Sequence, residues 1–429
     1  MREMKNSGVE WLESIPETWN LLQLGSLFSE HKHKNIGMQS SNLLSLSYGK
    51  IIRKDINTTD GLLPESFEGY NVIGAGDIVL RLTDLQNDQR SLRVGLCGEN
   101  GIITSAYTTL RRRNDAISSK YFYYLLHSYD VRKGFYGMGA GVRQGLNYAG
   151  VRKIMLAVPS EREQTAIAEC LDQKIAQVDA LIANVQAQIE KLKVYKQSLI
   201  TEVVTKGLDP NAPMKDSGVE WLGAVADTRR IFRLKYLLNF PMQYGANESG
   251  DKYTDGSVRY IRITDITADG KLKDDENNQY ISDTIASEYT LKDGDVLFAR
   301  SGGTVGKSFL FRKEYGQCAF AGYLIKAECN QKVLLPEYLI YYTQSSLYNL
   351  WKNMIFIQAT IQNIGANKYS NMEIPIPTIA EQESIVEHLK TKCSQIDQLI
   401  SLKESKIEKL QQYKRSLIYE YVTGKKEVV

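Results

Sequence analysis

One stretch in the middle of the chain returns almost unchanged near its end, and this repeat constrains the fold more than any other feature. Residues 189–200 read IEKLKVYKQSLI and residues 407–418 read IEKLQQYKRSLI, so 9 of 12 positions are identical at an offset of 218. Around each copy, apolar residues recur in alternating steps of three and four, which is the spacing of a coiled-coil seam. Such a stripe on a long helix cannot stay in water. The repeat therefore predicts two long helices that pair with each other as an antiparallel coiled coil.

The predicted seam runs along both helices and is interrupted by a lysine at the same place in each. Its apolar members are Ile175, Val178, Ile182, Val185, Ile189, Leu192, Leu199, Ile396, Ile400, Ile407, Leu410 and Leu417. The shared interruptions are Lys196 and Lys414, and Lys403 also breaks the second seam. A polar residue in a seam can fix the register of the helices. Alternatively, the two lysines belong to a docking surface for partner proteins, and the sequence leaves both interpretations open.

A second repeat marks where each half of the chain begins. The sequence KNSGVEWL at 5–12 returns as KDSGVEWL at 215–222. Just before the second copy, Gly207, Pro210 and Pro213 follow the last residue of the helical pattern, which is typical of a helix end and a linker. The chain is thus a tandem duplication, and such a repeat outranks local signals when the fold is predicted.

The duplication predicts that globular domains and long helices alternate along the chain. The predicted segments are a first domain at 1–158, a long helix at 159–206, a linker at 207–214, a second domain at 215–376 and a long helix at 377–425. In the domains, GDIVL at 76–80 aligns with GDVLF at 294–298, and each predicts a turn followed by a short strand. Aromatic-rich segments at 121–126 and 338–342 predict an amphipathic helix in each domain. The expected class is α/β (α+β), with a small mixed sheet and helices in both domains.

Composition limits the class of protein only loosely. The formal net charge of +3 permits nucleic-acid binding without requiring it. No segment approaches the apolar length of a membrane span, and the N-terminus has no secretory pattern. The five scattered cysteines suit free thiols in a reducing compartment. We therefore expect a cytoplasmic protein, with most of its tyrosines in the core or between helices.

Several motifs together resemble the specificity subunit of type I restriction–modification systems. They are the SGVEWL opening, the Gly-Asp turn before a strand, the Glu-Gln pairs at 163–164 and 381–382 that open the long helices, and the duplication of the whole chain. The second half departs from the pattern where Arg229 stands at the position of Trp19, which leaves the packing at the start of that domain open.

The resemblance implies a non-catalytic subunit whose two target-recognition domains each read one half of a bipartite sequence in double-stranded DNA. It implies two methyltransferase subunits and restriction/translocase subunits as partners, which use S-adenosylmethionine, ATP and Mg²⁺. The sequence itself contains no cofactor-binding loop, metal cluster or catalytic constellation, so we expect no cofactor, metal or catalytic residue in this chain. Because the domains differ in sequence between the aligned motifs, we expect two unlike half-sites and an asymmetric target. The alternative function is a coiled-coil scaffold for protein interactions, without DNA specificity.

Residues 301–308 read SGGTVGKS and resemble a phosphate-binding loop, but the first glycine is replaced by Ser301. The following FLF sequence predicts a strand where such a loop requires a helix. We expect instead a hairpin turn that presents backbone amides and Lys307 to a DNA phosphate. His31 and His33 lack a cluster of further ligands, so we expect a solvated basic segment there and no metal site.

The segment 131–153 is the strongest candidate for DNA contact, because it combines basic residues with glycines and aromatics and contains no acid. Arginine can read guanine, glutamine can read adenine, and glycine permits close approach of the backbone. Arg93 is a weaker candidate. The predicted DNA-binding residues are Arg81, Arg132, Lys133, Arg143 and Gln144 in the first domain and Arg300, Thr304, Lys307, Gln358 and Thr360 in the second.

Overall fold

Two long helices dominate the computed structural model, which describes residues 2–57, 64, 66–85, 88, 92–138, 145–267, 270–357 and 363–428. The helices in these ranges are α1 (Leu24–Leu27), α2 (Ser119–Val131), α3 (Tyr148–Val151), α4 (Glu161–Lys206), α5 (Asp283–Ala286), α6 (Pro336–Gln344), α7 (Ser346–Ile357), α8 (Ala366–Ser370) and α9 (Ile379–Val422). The chain divides into unit 1 (Met1–Gln186 with Ser405–Val429) and unit 2 (Ala187–Glu404). Both units contain part of α4 and part of α9. Across the described ranges, the helices lack an apolar stretch long enough to cross a membrane.

Short strands form small sheets in both units. In unit 1 the strands are β1 (Met4–Asn6), β2 (Ser14–Pro16), β3 (Asn20–Gln23), β4 (Phe28–Glu30), β5 (Leu44–Ser47), β6 (Lys50–Arg53), β7 (Asn71–Ile73), β8 (Ile78–Leu80), β9 (Val94–Leu96), β10 (Gly101–Ile103), β11 (Thr108–Arg112) and β12 (Met155–Val158). In unit 2 they are β13 (Met214–Asp216), β14 (Ala224–Ala226), β15 (Arg230–Arg233), β16 (Gln243–Tyr244), β17 (Ser257–Ile261), β18 (Gln279–Ser282), β19 (Val296–Ala299), β20 (Ser308–Leu310), β21 (Cys318–Phe320), β22 (Leu324–Ala327) and β23 (Glu373–Ile376).

The sheet topology of the two units is related. Each unit has a four-stranded antiparallel sheet, in the order β4-β11-β8-β9 in unit 1 and β16-β22-β19-β20 in unit 2. A further sheet of unit 2 pairs β17 with β21 in parallel. The predicted fold class is confirmed: the protein is a mixed α/β duplication with two long helices.

The apolar stripe of the long helices is buried in both units, which explains why such long helices are stable. In unit 1, Leu171 of α4 packs into the same core as Leu417 of α9. In unit 2, Val204 of α4 and Leu389 of α9 share a core. All residues of the predicted seam are buried or half-buried. Each buried leucine or valine contributes about 1.5–3 kcal/mol of hydrophobic stabilisation.

Within each unit, the facing stretches of α4 and α9 are antiparallel and are joined by an ion pair. In unit 1, Lys414 Nζ lies 2.6 Å from Asp179 Oδ1. In unit 2, Lys196 Nζ lies 2.7 Å from Asp397 Oδ2. These side chains are partly exposed, so each pair contributes about 1 kcal/mol or less. The placement favours a register role for both lysines, because a helix slipped by one turn would separate the charges.

Local sequence determines where the long helices begin and end. The hydroxyl oxygens of Ser160 and Thr378 accept hydrogen bonds from backbone N–H groups in the first turns of α4 and α9. Gly207 (φ +87°) and Gly424 (φ +70°) follow the last turns. Glycine adopts this left-handed conformation at a helix C-terminus without steric cost.

A buried glutamine ties the first turn of each long helix to its globular part. Gln164 donates to Pro159 O at 3.0 Å and accepts from the Ser118 N–H at 2.9 Å. Gln382 accepts from the Leu335 N–H at 2.8 Å and donates to two backbone carbonyls. The repeated Glu-Gln pair therefore does more than place an acid at a helix N-terminus, because its glutamine satisfies backbone groups inside the core.

The second half departs from the first at Arg229 without losing the contact made there. In unit 1, Trp19 Nε1 donates to Glu163 Oε2 at 3.0 Å. In unit 2, the fully buried Arg229 occupies the aligned position. Its Nη1 lies 2.7 Å from Glu381 Oε1. The two side chains form an ion pair, but the geometry is not that of a hydrogen bond. The guanidinium also lies beside Gly207 at the end of α4, where the helix dipole favours a cation. The glutamate that opens each long helix is thus held in both units.

Replacing Gln382 by alanine is expected to lower the free energy of unfolding by about 1–3 kcal/mol, because the Leu335 N–H would lose its acceptor inside the core. Gln398→Ala, at an exposed position of α9, is the matched control and should change this value by less than about 0.5 kcal/mol. Chemical denaturation of the full chain measures both variants. An equal decrease in the free energy of unfolding for both variants would show that the buried amide of Gln382 does not stabilise the fold more than an exposed one.

Candidate nucleic-acid interface

Each unit contains a β-hairpin at the edge of its four-stranded sheet. In unit 1, β8 and β9 form the hairpin, and residues 81–93 are its connection, here called loop 1. In unit 2, β19 and β20 form it, and residues 300–307 are the connection, here called loop 2. The two hairpins are therefore equivalent in the sheet, but their loops differ in length and in sequence.

A second segment of chain meets each loop through a backbone hydrogen bond. In unit 1, the Leu146 N–H donates to Leu82 O at 2.9 Å, and in unit 2 the Ile364 N–H donates to Arg300 O at 2.9 Å. The two bonds are related by the repeat offset of 218. The structure thus joins stretches that are distant in sequence and that both carry or adjoin predicted DNA-binding residues. The predicted residues that lie outside the described ranges are Arg143, Gln144, Gln358 and Thr360.

Loop 2 contains the sequence that resembles a phosphate-binding loop, but its geometry is that of a hairpin. Gly302–Thr304 form one 3-10 turn, and a strand follows from Ser308, as predicted from the FLF sequence. The N–H groups of Val305, Gly306 and Lys307 already donate to backbone carbonyls nearby. The expectation that the turn presents its amides to phosphate is therefore wrong for these three groups, because the tight turn uses them itself.

The other predicted side chains of loop 2 differ in accessibility. Lys307 is exposed and lines a cleft of about 810 Å³ together with Lys352, whose pKa is lowered by burial. The wall of the cleft also includes Lys271, Glu404 and the ion pair of Lys196 with Asp397. Thr304 is half-buried, and its hydroxyl has no hydrogen-bond partner among the residues described. Lys307 is therefore a cation that a DNA phosphate can reach.

Arg300 is held in place on several sides. Its N–H donates to Tyr323 O at 2.9 Å, and its carbonyl accepts the bond from Ile364. Its guanidinium carbon lies 5.1 Å from the centre of the Tyr244 ring, and the Tyr244 hydroxyl accepts from the Ala366 N–H at 2.9 Å. Tyr244 and Tyr323 are 42% and 62% exposed. A restrained cation beside an exposed aromatic ring is well suited to contact nucleic acid.

Sequence reasoning missed Tyr244 and Tyr323, because most tyrosines were expected in the core. The available signal was the glycine beside each of them, Gly245 and Gly322. A Cβ at Gly245 would lie 2.3 Å from Phe320 O, so two backbones approach closely at this point. A glycine in or beside a strand often marks a site where another backbone or a ligand approaches closely.

The described residues of loop 1 are organised around Arg93, which is fully buried. Its guanidinium donates to Thr83 O at 2.7 Å and to the carbonyls of Arg81 and Asp84 at 3.2 Å. The prediction that Arg93 contacts DNA is therefore wrong, because its N–H groups hold the loop from inside. Arg81 is half-buried and forms an ion pair with Asp88 at 3.4 Å. This predicted DNA-binding residue therefore lies in loop 1, and its guanidinium is already paired with a carboxylate.

Arg132 and Lys133 follow the end of α2 and make contacts outside the hairpin strands. The guanidinium carbon of Arg132 lies 3.9 Å from the centre of the Tyr419 ring, and its Nη1 donates to Trp11 O at 3.3 Å. Lys133 Nζ lies 4.5 Å from the centre of the Tyr136 ring. These contacts place Arg132 beside the last part of α9.

The two histidines near the N-terminus stack on each other. The ring centres of His31 and His33 are 6.3 Å apart, and His31 Nε2 lies 3.1 Å from Val72 O. Burial, followed by the charge of Arg111, lowers the pKa of His31. Within the ranges that the structure describes, no group of three or more His, Cys, Asp or Glu residues could hold a metal ion.

Asp130, near the end of α2, supports loop 1 by accepting a hydrogen bond from the Arg93 N–H at 2.6 Å. Burial raises the pKa of Asp130 from 3.8 to about 6. The folded chain therefore retains a proton in a pH range where the unfolded chain has released it. This group makes the free energy of unfolding decrease as the pH rises from about 4 to about 6.

Asp130→Asn is expected to remove this pH dependence, because asparagine keeps an oxygen acceptor without a charge to bury. The free energy of unfolding of the variant, relative to the wild type, should be higher at about pH 7.5 than at about pH 4. Denaturant titrations at both pH values measure the difference. Asp115→Asn, whose side chain is 97% exposed, is the control, and a pH-independent difference for Asp130→Asn would contradict the prediction.

Known proteins share the sequence pattern and fold described above. Residues 230–412 match the family model of the type I restriction modification DNA specificity domain. The chain is 23% identical over 431 residues to the type I restriction enzyme MjaVIII specificity subunit of Methanocaldococcus jannaschii, covering 96% of this chain and 93% of that subunit. It is 23% identical over 307 residues to the EcoBI specificity subunit of Escherichia coli, covering 68% of this chain and 63% of that subunit.

Solved structures resemble the chain over nearly its whole length. A chain from a type I R-M system has a TM-score of 0.71 at 14% identity and covers 95% of this chain and 98% of its own. The HsdS subunit from Thermoanaerobacter tengcongensis has a TM-score of 0.50 at 14% identity, with 96% and 98% covered. At these identities the likeness establishes the fold.

Proposed function

We propose that this chain is a specificity subunit of a type I restriction–modification system, like the relatives that it resembles, and that its two units read the two halves of a bipartite DNA target. A specificity subunit recognises DNA and carries no catalytic activity of its own. The observation that carries the proposal is the repeated meeting of a hairpin loop with a second segment of chain, at Leu82 in unit 1 and at Arg300 in unit 2. Two copies of one scaffold, each with its own loops, suit two half-sites.

The difference between the loops supports an asymmetric target. At the aligned position, unit 1 has Leu82, which is 1% exposed, and unit 2 has the restrained Arg300. An arginine N–H group can read a base edge in the major groove, whereas a buried leucine cannot. A symmetric homodimer favours a palindromic target. A single chain with two unlike halves does not have this symmetry, so its target need not be palindromic.

We further propose that the long helices bind partner subunits. Apolar side chains remain exposed on them, at Leu181 and Tyr413 in unit 1 and at Tyr195, Leu399 and Leu402 in unit 2. Exposed apolar side chains on a long helix suit the docking of other proteins. The proposed partners are two methyltransferase subunits and, with them, restriction/translocase subunits, and these would supply S-adenosylmethionine, ATP and Mg²⁺. The complex would act in the cytoplasm, where its DNA is found.

Adenine-methylation sequencing tests the proposal directly. Genomes from cells that carry this chain with its methyltransferase partner are compared with genomes from cells that lack the chain. A split motif, with two short half-sites around a fixed gap, should be present in the first set and absent in the second. If the reconstituted complex showed no DNA preference and no motif depended on the chain, the scaffold function would replace the proposal.

Replacing residues 1–155 by the corresponding part of another specificity subunit should change one half-site and leave the other unchanged, because loop 1 and its second segment both lie in that range. Replacing 215–376 should change the other half-site. The methylated motif of each chimaera is the measurement. A chimaera in which both half-sites change would contradict the modular assignment.

Lys307→Ala should weaken DNA binding by the complex to a similar degree for all sequences, because an exposed lysine acts on phosphate. The slope of log K against log[salt] should become shallower by about 0.9, the value for one phosphate contact. Binding titrations at several salt concentrations measure it. Lys332→Ala, at another exposed position of unit 2, is the control, and an equal change in both variants would argue against a contact at loop 2.

A further inference from the structure

The geometry of loop 2 points to Arg300 as a base-reading residue, and we propose that it recognises a guanine in the half-site of unit 2. This inference rests on the proposed function, since unit 2 must bind DNA for any of its residues to read a base. The inference is drawn from the contacts that position the backbone and side chain of Arg300, and from the charged groups around the guanidinium.

The backbone of Arg300 is fixed from both sides. Its N–H donates to Tyr323 O and its carbonyl accepts from the Ile364 N–H, both at 2.9 Å. These bonds connect loop 2 to the turn before β22 and to the segment before α8. Reading a base edge requires a side chain that is positioned before DNA arrives, because ordering a flexible chain on binding costs free energy. Arg300 meets this requirement at its backbone.

The side chain of Arg300 is held by Tyr244. The guanidinium carbon lies 5.1 Å from the centre of the tyrosine ring, and the Tyr244 hydroxyl is itself fixed by the Ala366 N–H at 2.9 Å. A guanidinium stacked on a ring keeps its N–H groups free at the edge of the plane. That edge can donate two hydrogen bonds to O6 and N7 of a guanine, the commonest base-specific contact of arginine.

Arg300 also differs from its neighbours in lacking a competing carboxylate. Most other arginines of unit 2 lie within ion-pair distance of an acid, namely Arg229, Arg233, Arg259, Arg262 and Arg312. For Arg300, no carboxylate of the described residues lies within that distance. An arginine whose N–H groups are already bonded to a carboxylate has less to offer a base, whereas those of Arg300 have no carboxylate partner among the described residues.

Two comparisons separate this role from simple attraction to phosphate. Lys307, in the same loop, is exposed, and a lysine acts as a point charge without the planar pair of donors. In unit 1, the position aligned with Arg300 is the buried Leu82. Guanine recognition by this arginine is therefore a property of the half-site of unit 2 alone.

Arg300→Lys tests the inference, because lysine keeps the charge but loses the planar donors. Competition binding uses the reconstituted complex with its methyltransferase subunits and duplexes that carry every base pair at each position of the unit 2 half-site. That half-site is the one that changes when 215–376 is exchanged. The variant should lose about 10-fold to 100-fold of its preference for guanine at one position, and keep its other preferences. Arg230→Lys, at an exposed position of β15, should change none.

Tyr244 serves as the positioning residue in this proposal and provides a second variant. Tyr244→Leu should reduce the preference for the same guanine, because the guanidinium loses its support. Tyr244→Phe should largely retain the preference, because the ring remains. The readout is base preference at one position, which a general loss of stability would not move selectively.

The outcomes distinguish the inference from the function on which it rests. A wild-type complex without any sequence preference would overturn both. A wild-type complex with a split target, combined with an Arg300→Lys variant that keeps every preference, would overturn the assignment of Arg300 alone. A variant that loses preference evenly across the half-site would also overturn it, since that result indicates a structural role.

Discussion

The burial of the long helices' apolar stripe is the constraint on which the rest of the structure depends. Neither globular part completes its core from its own repeat, because unit 1 uses the end of α9 and unit 2 uses the end of α4. The hydroxyls of Tyr121 and Tyr338 mark these junctions, since they donate to Val422 O at 3.0 Å and to Val204 O at 3.2 Å. Each repeat therefore supplies part of the core of the other.

Two buried glutamines and two partly exposed ion pairs then select one arrangement of this framework. Gln164 and Gln382 satisfy backbone groups inside the two units, and the ion pairs of Lys414 and Lys196 join facing turns of the helices. Such groups add little net stability, but leaving a buried one without its partner is costly. Packings in which a long helix is slipped or rotated are therefore less stable, relative to the native packing, than they would be if only apolar contacts were present. The exchange of Trp19 for Arg229 shows that the partner can change while the anchoring of the helix is retained.

The two loops show how one scaffold supports two different surfaces. Loop 1 contains a buried arginine, Arg93, whose Nη1 and Nη2 groups donate to carbonyls of the loop itself. Loop 2 is short enough to close through its own backbone amides, and its arginine, Arg300, remains available beside Tyr244. The same residue type thus supports a loop in one unit, whereas in the other it has no carboxylate partner among the described residues. Loops can diverge in this way because the sheets and helices beneath them carry the stability.

The sequence by itself determined the duplication, the two long helices, their seam and the mixed α/β class, because these depend on periodicity and on spacing along the chain. It also predicted the strands that follow the Gly-Asp turns and the hairpin turn that ends at the strand after Lys307. Only the tertiary structure decided that Leu146 meets Leu82 and that Ile364 meets Arg300, and it decided which arginines are buried, paired or available. These properties arise from packing between segments that are distant in sequence. Such packing depends on the shape and polarity of every neighbour at once, and it leaves no periodic trace in the order of the residues.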